Sequence, residues 1–337
     1  MSSTSAGINN NKMSLRTLNS PPLVAMAGAT LSIGLPFLDA ALSSSASLTL
    51  LKTLNAAAFA TNVIAVTIPG RLDGQEMKEF PKNATKSNNN ESNSLLSKDE
   101  PSSALKLNHS RTLVNPSGWA FAIWAPIYIG EAAFVTAQLF ASDPTTTALL
   151  PQLTAPFVAA NLFQSLWCAS FRPSYLHGCW TRYISVGMLA GTAYSLNLVQ
   201  YASSTVLAAE PTMLAHLLLP LTIHFGWTSA ATLVNLNGSL GSDESASARS
   251  LIALGHSSAL AATILGVGLT IARSAPAYGL TLAWALAACA DGMSKKCARS
   301  GDSEEEETFA KAAGVQMNLC WAGSFACAVA AAYAGLF

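Results

Sequence analysis

The stretch TMLAHLLLPLTIHFGWTSAATLVNL, residues Thr212–Leu236, runs for 25 residues without Asp, Glu, Lys or Arg. The hydrocarbon core of a bilayer is about 30 Å thick, and roughly 20 apolar helical residues cross it. Seven other stretches qualify or nearly do. None resembles a strand of an outer-membrane barrel, which is about ten residues long and alternates in polarity. The sequence therefore predicts an all-α, polytopic membrane helix bundle of about eight transmembrane helices. The other predicted spans are Leu48–Ile68, Ser117–Phe140, Leu149–Phe171, Tyr183–Leu207, Leu251–Ala272, Ala275–Met293 and Ala310–Leu336.

The composition supports a membrane protein. Of the 337 residues, 51% are hydrophobic and only 11% are charged, against roughly 25% charged in soluble domains. The net charge is zero, so the lipid bilayer is the expected partner and no nucleic acid is expected. The six cysteines form no C-x-x-C pair, and we interpret them as small core residues rather than metal ligands.

Two connecting segments stand out between the spans. Residues Arg71–Asn115 are rich in Asn, Ser and Lys, a composition typical of a disordered surface loop. The acidic run Glu304–Glu307 lies in the segment before the last span and predicts a solvated loop.

Residues 1–47 form an N-terminal extension with two interpretations. Lys12 and Arg16 precede an apolar run, Leu23–Leu42, which is followed by small residues. That order is typical of a cleaved signal or organellar targeting segment. A ninth helix is the alternative, which Pro36 and Asp39 weaken. The membrane is therefore organellar (plastid or mitochondrial) or part of the endomembrane system.

The distribution of Lys and Arg predicts the orientation. With the eight spans fixed, thirteen fall on the side that holds Arg71–Asn115 and Lys295–Arg299, and three (Lys12, Arg16 and Arg273) fall on the other. The basic side should face the cytosol, matrix or stroma.

The second span carries the first candidate site residues. At 100° per residue, Phe121, Trp124, Tyr128 and Glu131 share one helix face. Glu131 lies about 18 Å along the helix from Trp119, near the middle of the bilayer, where a lipid-facing carboxylate costs at least ~2.5 kcal/mol. It should therefore face the bundle interior. Three roles stay open for Glu131, namely a polar group in an aromatic ligand pocket, a helix-to-helix hydrogen bond, or a proton relay.

Three further spans present aromatic and polar residues together. Their convergence would form an apolar pocket with a few orienting polar groups, although Trp and Tyr belts at the membrane interfaces explain some of them. No nucleophile–base pair or phosphate-binding loop is recognisable, so no catalytic residue is predicted. His216 and His224 are spaced poorly for a metal, while His224 as an axial haem ligand stays open. The groups are Asn161, Gln164, Trp167 and Phe171; Tyr194, Asn197 and Tyr201; and Pro220, His224, Trp227 and Asn235.

Three of these segments resemble the TspO/MBR family of translocator proteins and tryptophan-rich sensory proteins. The run Pro116–Trp124 followed by Ile127-Tyr128 is similar to its second-helix signature. Asn161 with Trp167 and Phe171 resembles its third-helix pattern, and Pro220–Asn235 its fifth. The three further helices resemble a longer branch of the family.

The resemblance implies a five-helix core over residues 48–237, containing the loop 71–115, followed by three additional helices over 238–337. It implies a pocket for tetrapyrroles such as protoporphyrin, or for cholesterol, and a possible homodimer, for which Gly187-x-x-x-Gly191 could mark the seam. No cofactor is required beyond a bound tetrapyrrole. We expect ligand sensing or trafficking; a membrane transporter and a porphyrin-processing enzyme are the alternatives. The residues it implies for the pocket are Trp119, Phe121, Trp124, Tyr128, Asn161, Trp167, Trp227 and Asn235, to which the helical faces add Glu131, Pro220 and His224.

Overall fold

The computed structural model describes residues 19–68, 71, 111–207, 213–297 and 304–336. Within them the chain forms ten α-helices and no strand, which confirms the all-α prediction. One helix, α5, is a single turn, and the other nine are long. The helices are α1 (Pro21–Ser45), α2 (Leu48–Thr67), α3 (Trp124–Phe140), α4 (Pro144–Ser170), α5 (Pro173–Leu176), α6 (Ile184–Leu207), α7 (Met213–Gly241), α8 (Ala248–Arg273), α9 (Pro276–Cys297) and α10 (Glu304–Leu336).

Six of the long helices in the described residues are long and apolar enough to cross a membrane. They are α1, α2, α3 with its preceding 3-10 turn, α7, α8 and α10. The other three, α4, α6 and α9, were predicted as spans and have the required length, but they are more polar. Helix α4 packs against α1, α2 and α6, so much of its surface meets protein and can carry polar side chains without exposing them to lipid.

Five of these helices close into a ring. Helix α2 packs on α3, α3 on α7, α7 on α6, α6 on α4, and α4 on α2 again. Helix α1 lies outside the ring against α4 and α6, whereas α8, α9 and α10 pack together and contact the ring through α7.

The N-terminal apolar run forms helix α1. Pro21 stands in its first turn, and its buried positions include Val24, Leu35 and Leu42. At Gly28 the helix passes so close to Met188 of α6 that a Cβ there would collide with the methionine side chain. The segment is thus a packed ninth long helix in this structure, and the removal of residues 1–47 as a targeting segment stays a prediction.

The predicted surface loop Arg71–Asn115 falls mostly on residues that the structure does not describe. Residues 72–110, and with them most of the asparagine-rich run, lie outside the described residues. Residues 111–115 are packed, because Leu113 is fully buried against Leu251, Met293 and Phe309. We call residues 111–117 the strap, since they run across the end of the bundle before α3 begins.

The acidic run Glu304–Glu307 is not a loop but the first turn of α10. Carboxylates in that position interact favourably with the positive end of the helix dipole. Glu307 also pairs with Lys311 one turn later, at 2.7 Å. The prediction is wrong because a run of like charges suits the start of a helix as well as a solvated loop.

The basic side chains of the described residues cluster at one end of the bundle, which we call the basic end. Only Lys52 and Arg273 lie at the opposite end. This distribution keeps the predicted orientation, with the basic end toward the cytosol, matrix or stroma. The basic end carries Arg71, Arg111, Arg172, Arg182, Arg249, Lys295, Lys296 and Lys311.

Native Cys179 permits a test of this orientation, because it is exposed in the turn after α5 at the basic end. In sealed vesicles that enclose the cytosolic, matrix or stromal face, a membrane-impermeant maleimide should label it only after permeabilisation. In the Cys179→Ser background, Ser142→Cys at the opposite end should be labelled without permeabilisation. The reverse pattern of labelling would invert the orientation.

Candidate functional site

An aromatic cluster lies inside the ring, with the Trp124 indole at its centre. The Trp124 ring centroid lies 6.5 Å from that of Trp167 and 6.1 Å from that of Trp227. Phe121 meets Trp227 edge to face at 5.8 Å, and Phe171 stacks on Trp167 at 5.1 Å. Residues predicted from three separate helices are therefore brought together, and their rings make one apolar wall.

This wall borders a cavity of about 1290 Å³, including its open mouth. The cavity wraps around the basic end of α7 and is bounded above by the strap. It reaches α8, α9 and α10, so the three added helices line the cavity rather than fill it. Among the predicted site residues, those lining it are Phe121, Trp124, Trp167, Trp227 and Asn235.

A few polar groups orient toward this apolar space. The Trp167 indole donates to Asn235 Oδ1 at 3.4 Å, and Arg172 and Arg182 line the cavity near its mouth. Arg182 donates to the Gly178 carbonyl and lies 3.4 Å from Asp243. Hydrogen bonds from Ser245 lower the pKa of Asp243, which keeps it anionic. The mouth therefore has a cationic rim that is partly neutralised.

Glu131 and His224 form a buried pair behind Trp124. The His224 Nδ1 lies 2.6 Å from Glu131 Oε1, and each side chain is only 1% exposed. Trp124 contacts the His224 ring edge to face at 5.6 Å. Neither member of the pair lines the cavity, so the carboxylate has a partner inside the bundle but does not reach the ligand space. An axial haem ligand at His224 would have to displace Trp124.

Pro220 positions the pair without contacting the cavity. It packs against Gly130 on α3, and a Cβ at Gly130 would collide with the proline ring. This close approach of α3 and α7 brings Glu131, the next residue, against His224, one turn further along α7. Pro220 is thus a packing residue.

Three predicted site residues lie elsewhere. Trp119 is 42% exposed at the outer edge, with its indole donating to Asp291 at 3.2 Å and contacting Trp284. Asn161 accepts from Asn62 of α2 at 3.1 Å, inside the ring but away from the cavity. Tyr128 stacks on Trp124 on the side of the pair. Trp119 therefore makes a contact at the outer edge of the bundle, and Asn161 and Tyr128 belong to its polar interior. None of the three lines the cavity.

The predicted aromatic face of α6 does not join the site. Tyr194 and Tyr201 are 59% and 63% exposed on the outer surface. The Gly187-x-x-x-Gly191 pattern is split, since Gly191 packs against Phe163 of α4 while a Cβ at Gly187 would meet nothing. Helix α6 therefore contributes mainly packing to the ring.

Sequence reasoning missed the far wall of the cavity. Tyr175, at the mouth, has its pKa raised to about 12 by burial and donates from its neutral hydroxyl to the Asn19 carbonyl. The available signal was the row of small residues Ala259 and Ala262, facing Ala285 across the space, which also suits ordinary helix packing. The lining residues missed include Ser185, Ser239, Ser258, Ala259, Ala262, Ala285, Cys289, Gln316 and Cys320.

Together the helical ring, its apolar outer helices and the aromatic cavity define a polytopic membrane protein with an aromatic-lined cavity between its helices. The sequence model of the TSPO-like protein family matches residues 90–299, well over half of the chain. The chain belongs to the TSPO-like family. The match begins after α2 and extends through α8 to α9, beyond the core predicted to end at residue 237. No curated protein and no solved structure matches the chain significantly.

Proposed function

We propose that this protein binds a tetrapyrrole with carboxylate groups, such as protoporphyrin, in the aromatic cavity, for sensing or trafficking. The observation that carries the proposal is the wall of three indoles, Trp124, Trp167 and Trp227, which lines a predominantly apolar cavity together with residues of α8, α9 and α10. Flat aromatic surfaces favour offset stacking with planar partners. The resemblance to proteins that bind tetrapyrroles supports the same ligand class.

The cationic rim supports a carboxylate-bearing tetrapyrrole over a sterol. A porphyrin carries an apolar, planar macrocycle and two propionate groups on one edge. With the macrocycle against the indoles, the propionates would lie toward the mouth, near Arg172 and Arg182. Hydrogen bonds between guanidinium and carboxylate groups are stronger than neutral ones. A sterol presents one hydroxyl and no charge, so it would form no ion pair with these arginines.

The test is a titration of purified protein in detergent with protoporphyrin, haem and cholesterol, followed by quenching of Trp fluorescence and by competition. Protoporphyrin or haem should bind saturably and with the higher affinity. Saturable binding of cholesterol with no binding of either tetrapyrrole would replace the proposed ligand class.

Removing the ligand's charge tests the rim. Protoporphyrin dimethyl ester lacks both carboxylates, and we expect it to bind about tenfold more weakly than the diacid, since a charge-assisted hydrogen bond contributes roughly 1.5–3 kcal/mol. Arg172→Gln should remove most of this difference. Arg249→Gln, an exposed position that does not line the cavity, is the matched control. An unchanged ratio of the two affinities in Arg172→Gln would exclude the arginine from carboxylate binding.

A further inference from the structure

A line of buried polar side chains runs through the bundle along the inward faces of α2, α3 and α4. On each helix its members fall on one face at helical spacing. We call this line the polar seam, and it is separate from the cavity. From the basic end it consists of Cys168, Tyr128, Gln164, Asn62, Asn161, Glu131 with His224 of α7, and then Asn55, Gln138 and Thr154.

The part near the basic end holds unpaired polar atoms. Among the described residues, no hydrogen-bond partner is found for Glu131 Oε2 or His224 Nε2. Tyr128 lies beside Gln164, Cys168 and Glu131. Buried polar atoms of this kind are the places where ordered water binds in proteins. Tyr128, Gln164 and Cys168 thus extend the line of polar side chains from Glu131 toward the basic end.

The pair itself is built to carry one proton. Glutamate with imidazolium and glutamic acid with imidazole are both neutral overall and differ only in where the shared proton lies. Losing that proton or gaining a second would leave a net charge in a site that is 1% exposed, which is costly in a low dielectric. Toward the basic end the titratable groups are Tyr128 and Cys168, and the charged group is Arg71, which lies over the Trp167 ring. On the other sides of α7, α6 adds Gln200 and α9 adds Tyr278, which packs on Phe225.

Two phenylalanines interrupt the seam. On each of the three helices, the seam residues on either side of the phenylalanines are seven positions apart, which is about 10 Å along the helix. The pairs are Asn55 and Asn62, Glu131 and Gln138, and Thr154 and Asn161. Phe134 and Phe157 fill this gap with their ring centroids 5.4 Å apart. Both are buried, at 2% and 0% exposure. Beyond them Asn55 donates to Gln138 and Thr154, so the polar contacts resume toward Lys52 at the opposite end.

We propose that the polar seam is a proton-transfer path with the Glu131–His224 pair as its relay, and that the ring pair of Phe134 and Phe157 holds it closed. A proton arriving from the basic end forms an O–H bond at Glu131 Oε2. The proton on Oε1 moves to His224 Nδ1, and the N–H bond at Nε2 breaks to release a proton. One proton enters and one leaves, and the pair ends neutral. This activity is independent of the proposed tetrapyrrole binding.

The experiment measures proton flux across phosphatidylcholine vesicles that contain the full-length protein, the trapped pH dye pyranine, and valinomycin with potassium to compensate charge. No porphyrin is added, so failure here leaves ligand binding untouched. Wild-type protein should give slow flux. Phe134→Ala should speed it by about tenfold or more, the change produced by a barrier roughly 1.4 kcal/mol lower. Adding Glu131→Gln, which keeps the shape but cannot relay, should return the flux to the wild-type rate.

The matched control is Phe225→Ala, which opens a similar cavity beside Tyr278 outside the seam and should not raise the flux. Phe157→Ala opens the same constriction from α4 and replaces Phe134→Ala if that variant does not fold. The proposal is overturned if neither variant at the constriction raises the flux, if Phe225→Ala raises it equally, or if the flux through the opened protein survives Glu131→Gln.

Discussion

Replacing Trp124 or Trp227 with alanine should weaken protoporphyrin binding by roughly ten- to hundredfold. Each indole gives the cavity a flat apolar wall, and burial against such a side chain contributes on the order of 1.5–3 kcal/mol, where 1.4 kcal/mol is a factor of ten in Kd. Trp124 should show the larger effect, because its ring contacts Trp167, Trp227 and His224 at once. Fluorescence titration and competition with a labelled porphyrin measure the dissociation constants.

Trp180→Ala is the control for this series. Trp180 is 51% exposed in the turn before α6 and does not line the cavity, so its loss should leave affinity nearly unchanged. Removing a buried tryptophan can also open a cavity and destabilise the fold, so each variant must first show a monodisperse profile in detergent. If folded Trp124→Ala and Trp227→Ala proteins bind protoporphyrin as tightly as Trp180→Ala, the site is elsewhere.

The membrane fold was readable from the sequence because apolar length is a strong local signal. The errors in the predicted helix bounds have local causes. The start of α4 was placed at Leu149, since Pro144–Thr147 interrupts the apolar run, yet Asp143 caps the helix by accepting from the Thr146 amide at 2.8 Å. The 3-10 turn at Gly118–Ile123 was taken as ordinary helix, because both have similar short-range patterns.

The aromatic part of the site was predicted because its residues stand out singly in apolar helices. Trp124, Trp167 and Trp227 were all chosen, and the structure brings them together. Their partners could not be chosen, because a helical face shows which way a side chain points but not which helix it meets. The His224 that pairs with Glu131 lies 93 residues further along the chain. The alanines of α8 and α9 give only an ambiguous signal, since small residues suit both a cavity wall and close helix packing.

The position of Glu131 predicts a strong contrast between two substitutions. Glu131→Gln keeps the shape and a hydrogen bond to His224, and should fold with near wild-type stability. Glu131→Lys places an ammonium group beside the imidazole in a site that is 1% exposed, and should destabilise the protein by about 3–5 kcal/mol, the usual result of leaving a buried charge without its partner. Thermal unfolding in detergent measures the difference, with exposed Glu244→Lys as the control for charge reversal alone. Equal melting temperatures for Glu131→Gln and Glu131→Lys would mean that the side chain reaches water or lipid headgroups, and the buried pair with His224 would then be wrong.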